Sequence, residues 1–150
     1  MSLENDIQQS SFRNEYHKLV VNLTYTYNWS VEQNRKFFES ANLTSQQYNI
    51  LRILRGAKKP LSTFQIRERM LDRMSDTSRI VDRLVKKGLV QKVVSMRDRR
   101  LVDVTITEAG LQLLADLDKL NDSMDEKFKN LTEDEAKMLN RLLDKLRRSE

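Results

Sequence analysis

The sequence predicts a mainly α-helical fold with one small β-hairpin, and three observations lead there. Its 150 residues include only three glycines and one proline, too few breakers for a many-turned all-β sandwich. Apolar side chains recur every three or four positions through most of the chain, the spacing of helical faces. One short stretch just beyond residue 100 instead alternates apolar and polar residues, the period of a half-buried strand. A chain of this length buries roughly 70% of its unfolded surface as one domain, so a sizeable core is expected.

The first element is one long helix from Phe12 to Phe38, with Tyr16, Leu19, Val20, Leu23, Tyr27, Val31 and Phe37 near one face. A second helix starts at Thr44, whose hydroxyl caps it while Gln47 reaches back, with Leu43 and Tyr48 stapling the entry. It turns Ile50, Leu51, Ile53 and Leu54 inward and stops near Gly56. The same punctuation recurs at Ser62 and Gln65, with Leu61 and Ile66 as staple, so a third helix runs to about Leu71. After a polar break at Asp72 to Ser75, a fourth helix over Asp76 to Lys87 places Ile80, Val81, Leu84 and Val85 on one face and ends at Gly88.

Leu89 to Val94 is β-prone, and Val102, Val104 and Ile106 alternate with Leu101, Asp103 and Thr105. These two strands bracket the arginine-rich loop from Ser95 to Arg100. Thr107 caps a fifth helix in which Leu111, Leu114, Leu117, Asn121, Met124 and Phe128 recur, and Thr132 with Glu135 forms a third capping box before Leu139, Leu142, Leu143 and Leu146. The expected order is ααααββαα within one domain of residues 1–150. No internal repeat, low-complexity segment or dividing linker is visible.

Composition narrows the chemistry. Cysteine is absent, which excludes disulfides, thiolate metal sites, thiol nucleophiles and cysteine redox sensing. There is no apolar run of transmembrane length and no signal-like apolar segment in the first thirty residues, so a cytoplasmic protein without membrane attachment is expected. The net charge of +5 is unevenly distributed. From Arg52 to Arg100 there are 15 lysines and arginines against 5 acids, a local charge of +10, and the rest of the chain carries −5. A concentrated positive field suits a polyanion, whose phosphates it neutralises.

Two short helices joined by a polar turn and followed by a hairpin make a winged helix-turn-helix. The outer face of the fourth helix offers Thr77, Ser78, Arg79, Asp82, Arg83 and Lys86. A helix fits the major groove of B-DNA, where Ser, Thr and Arg can reach base edges and Arg and Lys can meet phosphates, so Thr77, Ser78, Arg79, Arg83 and Lys86 are the expected DNA contacts of this helix. Arg97, Asp98, Arg99 and Arg100 form the wing, where the negative potential of the minor groove attracts guanidinium groups. The apolar stripes of the terminal helices exceed what a small winged domain covers, so a twofold homodimer is expected, with helices of residues 1–40 and 107–150 pairing around the DNA-binding part of residues 42–106.

The motifs Asn42-Leu43-Thr44 with Gln47-Tyr48, Ser78-Arg79-Ile80-Val81-Asp82-Arg83-Leu84, Lys87-Gly88-Leu89-Val90, Asp98-Arg99-Arg100 and Thr107-Glu108-Ala109-Gly110 occur in this order. Together they resemble the multiple-antibiotic-resistance regulator (MarR) family. The resemblance implies a bacterial homodimeric transcription regulator, usually a repressor, whose recognition helices enter successive major grooves of a pseudo-palindromic double-stranded operator. It further implies that Arg100 reaches the minor groove, that Asp98 orients it through an ion pair, and that a small aromatic or anionic effector releases DNA. Tyr16 and Trp29 are the candidate effector contacts, although aromatic residues on a long helix commonly serve packing. After Lys92 the sequence departs from the family's basic, proline-containing wing with Val93, Val94 and Met96, which leaves the path of the wing open.

Plainer roles account for the remaining conspicuous residues. His17, the only histidine, is a surface or interface residue. Met70, Met74 and Met138 are core gap-fillers. Glu133, Asp134 and Glu135 favour a helix N-terminus electrostatically and form no metal site. The rival function is a winged-helix protein-interaction module, disfavoured by the basic face. An enzyme is expected least, since no paired acid and base, metal cluster or phosphate loop is present, and no cofactor is expected.

Overall fold

In the computed structural model, which describes residues 2–148, the elements are α1 (Leu3–Asp6), α2 (Glu15–Ser40), α3 (Ser45–Ala57), β1 (Leu61–Ser62), α4 (Thr63–Arg69), α5 (Thr77–Lys86), β2 (Val90–Val94), β3 (Val102–Ile106), α6 (Glu108–Asp118), α7 (Asn121–Glu126) and α8 (Glu133–Leu146). They form two compact units that divide within α2, one up to Lys36 and one from Phe37 onward.

In the first unit, the short helix α1 is fastened to α2 by an ion pair between Lys18 and Glu4. The hydrogen bond from Lys18 holds the Glu4 carboxyl down at a pKa of about 2. The start of α2 is closed by Asn14, whose side-chain oxygen accepts from the His17 N–H at 2.9 Å, while His17 Nδ1 accepts from the Arg13 N–H at 3.1 Å. His17 thus organises a helix entry.

The second unit holds a core built on Ile50, Leu51, Leu61, Ile66, Val81, Leu84, Val90, Val104 and Leu114. All three expected capping boxes form, at Thr44 with Gln47, Ser62 with Gln65, and Thr132 with Glu135. Each satisfies two backbone N–H groups that a helix start leaves without partners. Lys58, and not Gly56, takes the left-handed conformation that ends α3, at φ 55°. Gly56 lies one residue inside the helix.

The sheet has three antiparallel strands in the order β1-β3-β2, with Leu61 opposite Val104 and Lys92 opposite Val104 on the other side. The two-residue strand β1 is too short to show a periodicity. It nevertheless makes β3 the central strand, which explains why Asp103, opposite Ser62, is buried.

The expected fifth helix is two helices. Asp118 is held by a bidentate contact from Arg55 of α3, at 2.7 and 3.2 Å. Just beyond it the Leu120 N–H donates to the Leu117 carbonyl three residues back, at 2.9 Å. That tighter spacing closes α6 before α7 begins. Helix α8 contributes no buried residue, and Leu139, Leu142 and Leu146 on it are exposed.

Two motifs nineteen residues apart meet behind α5. Gly88 turns the chain from α5 into β2 at φ 72°, a conformation that costs other residues steric energy. The Thr107 hydroxyl donates to the Gly88 carbonyl at 2.7 Å and accepts from the Gly110 N–H at 3.2 Å. A Cβ on Gly110 would lie 2.4 Å from the Leu89 carbonyl oxygen, so only glycine lets α6 start there.

Candidate nucleic-acid interface

Helix α5 is presented by its surroundings at both ends. Asp72 closes the preceding turn by accepting from the Met74 N–H at 3.0 Å, and Asp76 caps α5 by accepting from the Arg79 N–H at 3.3 Å. At the far end, Lys87 donates to the Asn42 carbonyl and, at 3.2 Å, to the buried Gln47 Oε1. Lys87 is thereby engaged in holding α5 against the start of α3.

Ser78, Arg79, Asp82, Arg83 and Lys86 are all exposed, and their spacing of three and four residues puts them on one face. Thr77 is a correction to the expected groove-reading set. It is only 3% exposed, because residues 77, 81 and 84 share the inward face of the helix. Its hydroxyl oxygen has no hydrogen-bond partner among the described residues.

The reading face contains one acid, Asp82. Lys92 of β2 reaches it at 2.5 Å, so the carboxylate that would repel a phosphate is already neutralised by the adjoining strand. Lys92 joins this candidate site through its pairing with Asp82, which sequence reasoning did not single out. Its signal was weak: an outward-facing basic residue on the strand that follows the helix.

At the wing, Ser95 is buried and its N–H donates to the Leu101 carbonyl at 3.0 Å. The Leu101 N–H in turn donates to the Asp98 carbonyl at 2.9 Å. Asp98 Oδ1 accepts from the backbone N–H of Arg100 at 3.0 Å and from its Nε at 3.2 Å, while Oδ2 accepts from Nη2 at 3.1 Å. The side-chain hydrogen bond from Arg100 lowers the Asp98 pKa, helped by that backbone N–H. Arg100 is oriented yet 89% exposed in its side chain. Arg97 and Arg99 are exposed beside it, as is Met96.

Next to the start of α5 lies a cleft of about 460 Å³ lined by Phe64, Arg67, Met74, Asp76 and Ser78, among others. Met74 is 93% exposed and Met138 50%, so of the three methionines expected in the core only Met70 is buried. Met74 sits in the polar turn before α5 and Met138 on the uncovered α8, where no apolar layer receives them.

Within the first unit, Trp29 lines a second cleft of about 350 Å³ with Leu3, Asp6, Asn22, Tyr25 and Thr26. Tyr16 does not line it and is 81% exposed, three to four helical turns away from Trp29 along α2. The two candidate effector contacts are therefore not brought together. No group of three or more His, Asp or Glu side chains able to hold a metal occurs among the described residues.

Comparison with known proteins gives this geometry its family. The model of the MarR family matches residues 41–101, from just before α3 to the end of the loop between β2 and β3. The HTH-type transcriptional repressor IacR of Pseudomonas putida is 33% identical over 84 residues, covering 55% of this chain and 50% of the relative. The chain thus spans about half the length of that curated relative. A mutant MarR from E. coli, solved in complex with operator DNA, superposes with a TM-score of 0.81 over 93% of this chain and all of its own, at 24% identity. A MarR transcription factor from Planctomyces limnophilus matches with a TM-score of 0.67 at 33% identity, across 89% of this chain and 98% of its own. With 33% sequence identity sustained over nearly the whole of a solved relative, and the family's model matched across residues 41–101, the chain belongs to the MarR family.

Proposed function

We propose that this protein is a transcription regulator that binds double-stranded DNA as a homodimer, acting as a repressor at a pseudo-palindromic operator. One observation carries the reading: Ser78, Arg79, Arg83 and Lys86 share the exposed face of α5, with Asp82 among them neutralised by Lys92. In this reading α5 enters the major groove, and Arg100, pre-oriented by Asp98, enters the minor groove with Arg97 and Arg99 on the flanking phosphates. The protein is a binding protein and not an enzyme. No helix among the described residues is long and apolar enough to cross a membrane, and the assignment to the cytoplasm belongs to the same proposal.

The test is a salt-controlled titration of duplexes selected from a random library. Arg79→Ala or Arg83→Ala should weaken binding by about 1–3 kcal/mol each, and log affinity should fall linearly and steeply with log salt. Unchanged affinity in both variants would remove α5 from the interface.

A protein partner is the second reading, favoured by exposed Phe64, Leu71 and Met74 around the turn before α5. A DNA footprint that is lost in the Arg79 variant decides against it. A small-molecule effector forms part of the proposal through the family resemblance, with Trp29 as its contact and Tyr16 apart from it.

A further inference from the structure

We propose that Met96, in the loop of the wing, is a wedge that enters a base-pair step of the bound duplex from the minor groove and kinks it. The proposal deepens the proposed function and rests on its DNA reading, and the two fail by different measurements. Met96 is 99% exposed, while the backbone around it is fixed. The Ser95 N–H donates to the Leu101 carbonyl at 3.0 Å, and the hydroxyl of buried Ser95 accepts from the Arg97 N–H at 3.2 Å. A long apolar side chain is thus held out in water on a braced turn, an arrangement that folding alone does not reward.

The wing is also apolar on the side that turns toward α5. Val94 and Val102 lie opposite each other in the β2-β3 ladder and both are exposed, so they share one face of the hairpin. Lys92, two residues before Val94 and therefore on that same face, reaches Asp82 of α5. The charge around this face selects duplex DNA as its occupant. Arg97, Arg99 and Arg100 are exposed within four residues of Met96, and the stretch from Arg52 to Arg100 carries +10. Phosphates satisfy the arginines, whereas a thioether and two valines gain cover only from deoxyribose and base surface. The minor groove of B-DNA is about 6 Å wide, and with Arg100 inside it a second long side chain finds cover by parting a stack. Apolar side chains entering from this groove unstack a step and bend the duplex by about 20–90°. Pyrimidine–purine steps part most readily, so the wing selects a TA or CA/TG step.

The experiment uses duplexes selected by the full chain from a random library and labelled with 2-aminopurine at successive positions beside the α5 footprint. The unaltered protein should raise the fluorescence at one pyrimidine–purine step and bend the duplex in circular-permutation electrophoresis. Met96→Ala should weaken binding about tenfold, remove the fluorescence rise and straighten the duplex, with the salt slope unchanged because no charge is lost. Met96→Leu should keep affinity, fluorescence and bend. Arg79→Ala should weaken binding yet leave the bend in complexes formed at higher protein concentration. A straight duplex with no fluorescence rise would overturn the wedge and leave DNA binding standing. A Met96→Ala complex as tight and as bent as the unaltered one would do the same, and is the result expected if a protein partner covers the wing instead. Absence of any salt-dependent DNA binding would overturn both readings.

Discussion

Thr77 and Arg100, both expected at the groove from the sequence, are placed very differently by the structure. Arg100 projects into solvent with its guanidinium steered by two contacts to Asp98 and its backbone N–H held by a third, so in the proposed complex little ordering would be left for the moment of binding. Thr77 points inward and leaves its hydroxyl unpartnered among the described residues. A buried hydroxyl without a partner costs about 1–3 kcal/mol. Thr77→Val, which keeps the shape and removes the hydroxyl, should therefore raise stability by about 1 kcal/mol in urea unfolding, with DNA affinity unchanged. A loss of DNA affinity in that variant would put the hydroxyl back at the groove.

At the scale of elements, the contact between Arg55 and Asp118 joins α3 to α6 and coincides with the end of α6. The hydrogen bond from Arg55 lowers the Asp118 pKa, and burial opposes the shift. A carboxylate with a lowered pKa in the folded state contributes stability above about pH 4, and that contribution disappears as pH falls further and the unfolded chain takes up the proton first. Both side chains are about a third exposed, so Asp118→Asn should cost only about 0.5–1 kcal/mol at pH 7 and less near pH 2. Thermal unfolding of both proteins at the two pH values checks the sign, and an equal cost at both would refute the pairing.

The same scale shows what the sequence disclosed. Capping boxes were legible because their signal is local, a Ser or Thr with Gln or Glu three residues on. Strand β1 and the break after Asp118 were not, since both depend on distant partners: β3 pairs with Leu61 and Ser62, and Arg55 meets Asp118 across 63 residues. Thr77 was misplaced because its polarity suggested the outer face, while its position, four residues before Val81 and seven before Leu84, assigned it to the inner one. The wing pair of Asp98 and Arg100 was legible through family resemblance, whereas the pairing of Lys92 with Asp82 needed the strand to be seen beside the helix.

At the scale of the whole molecule, the apolar residues left uncovered in each unit bear on assembly. Val20, Tyr27 and Val31 in the first unit and Leu139, Leu142 and Leu146 in the second are exposed, and covering surface of this kind contributes about 25 cal/mol per Å². A second copy would bury it and place two α5 helices one DNA turn apart, roughly 34 Å. Analytical ultracentrifugation at micromolar concentration should give a dimer. A stable monomer there would contradict the paired reading of the operator.

The junction of Gly88, Leu89, Thr107 and Gly110 has an evolutionary consequence. None of these positions is among the residues proposed to read the groove, yet a left-handed turn, a shared hydroxyl and a carbonyl with no room for a methyl group constrain all four together. A saturation library sorted on folding should find them as intolerant as the core. Among the surviving folded members, changes there should be nearly silent for operator choice. The recognition face of α5 should show the opposite profile, permissive for folding and decisive for sequence preference, so new operators can be acquired on this scaffold without renegotiating its joints.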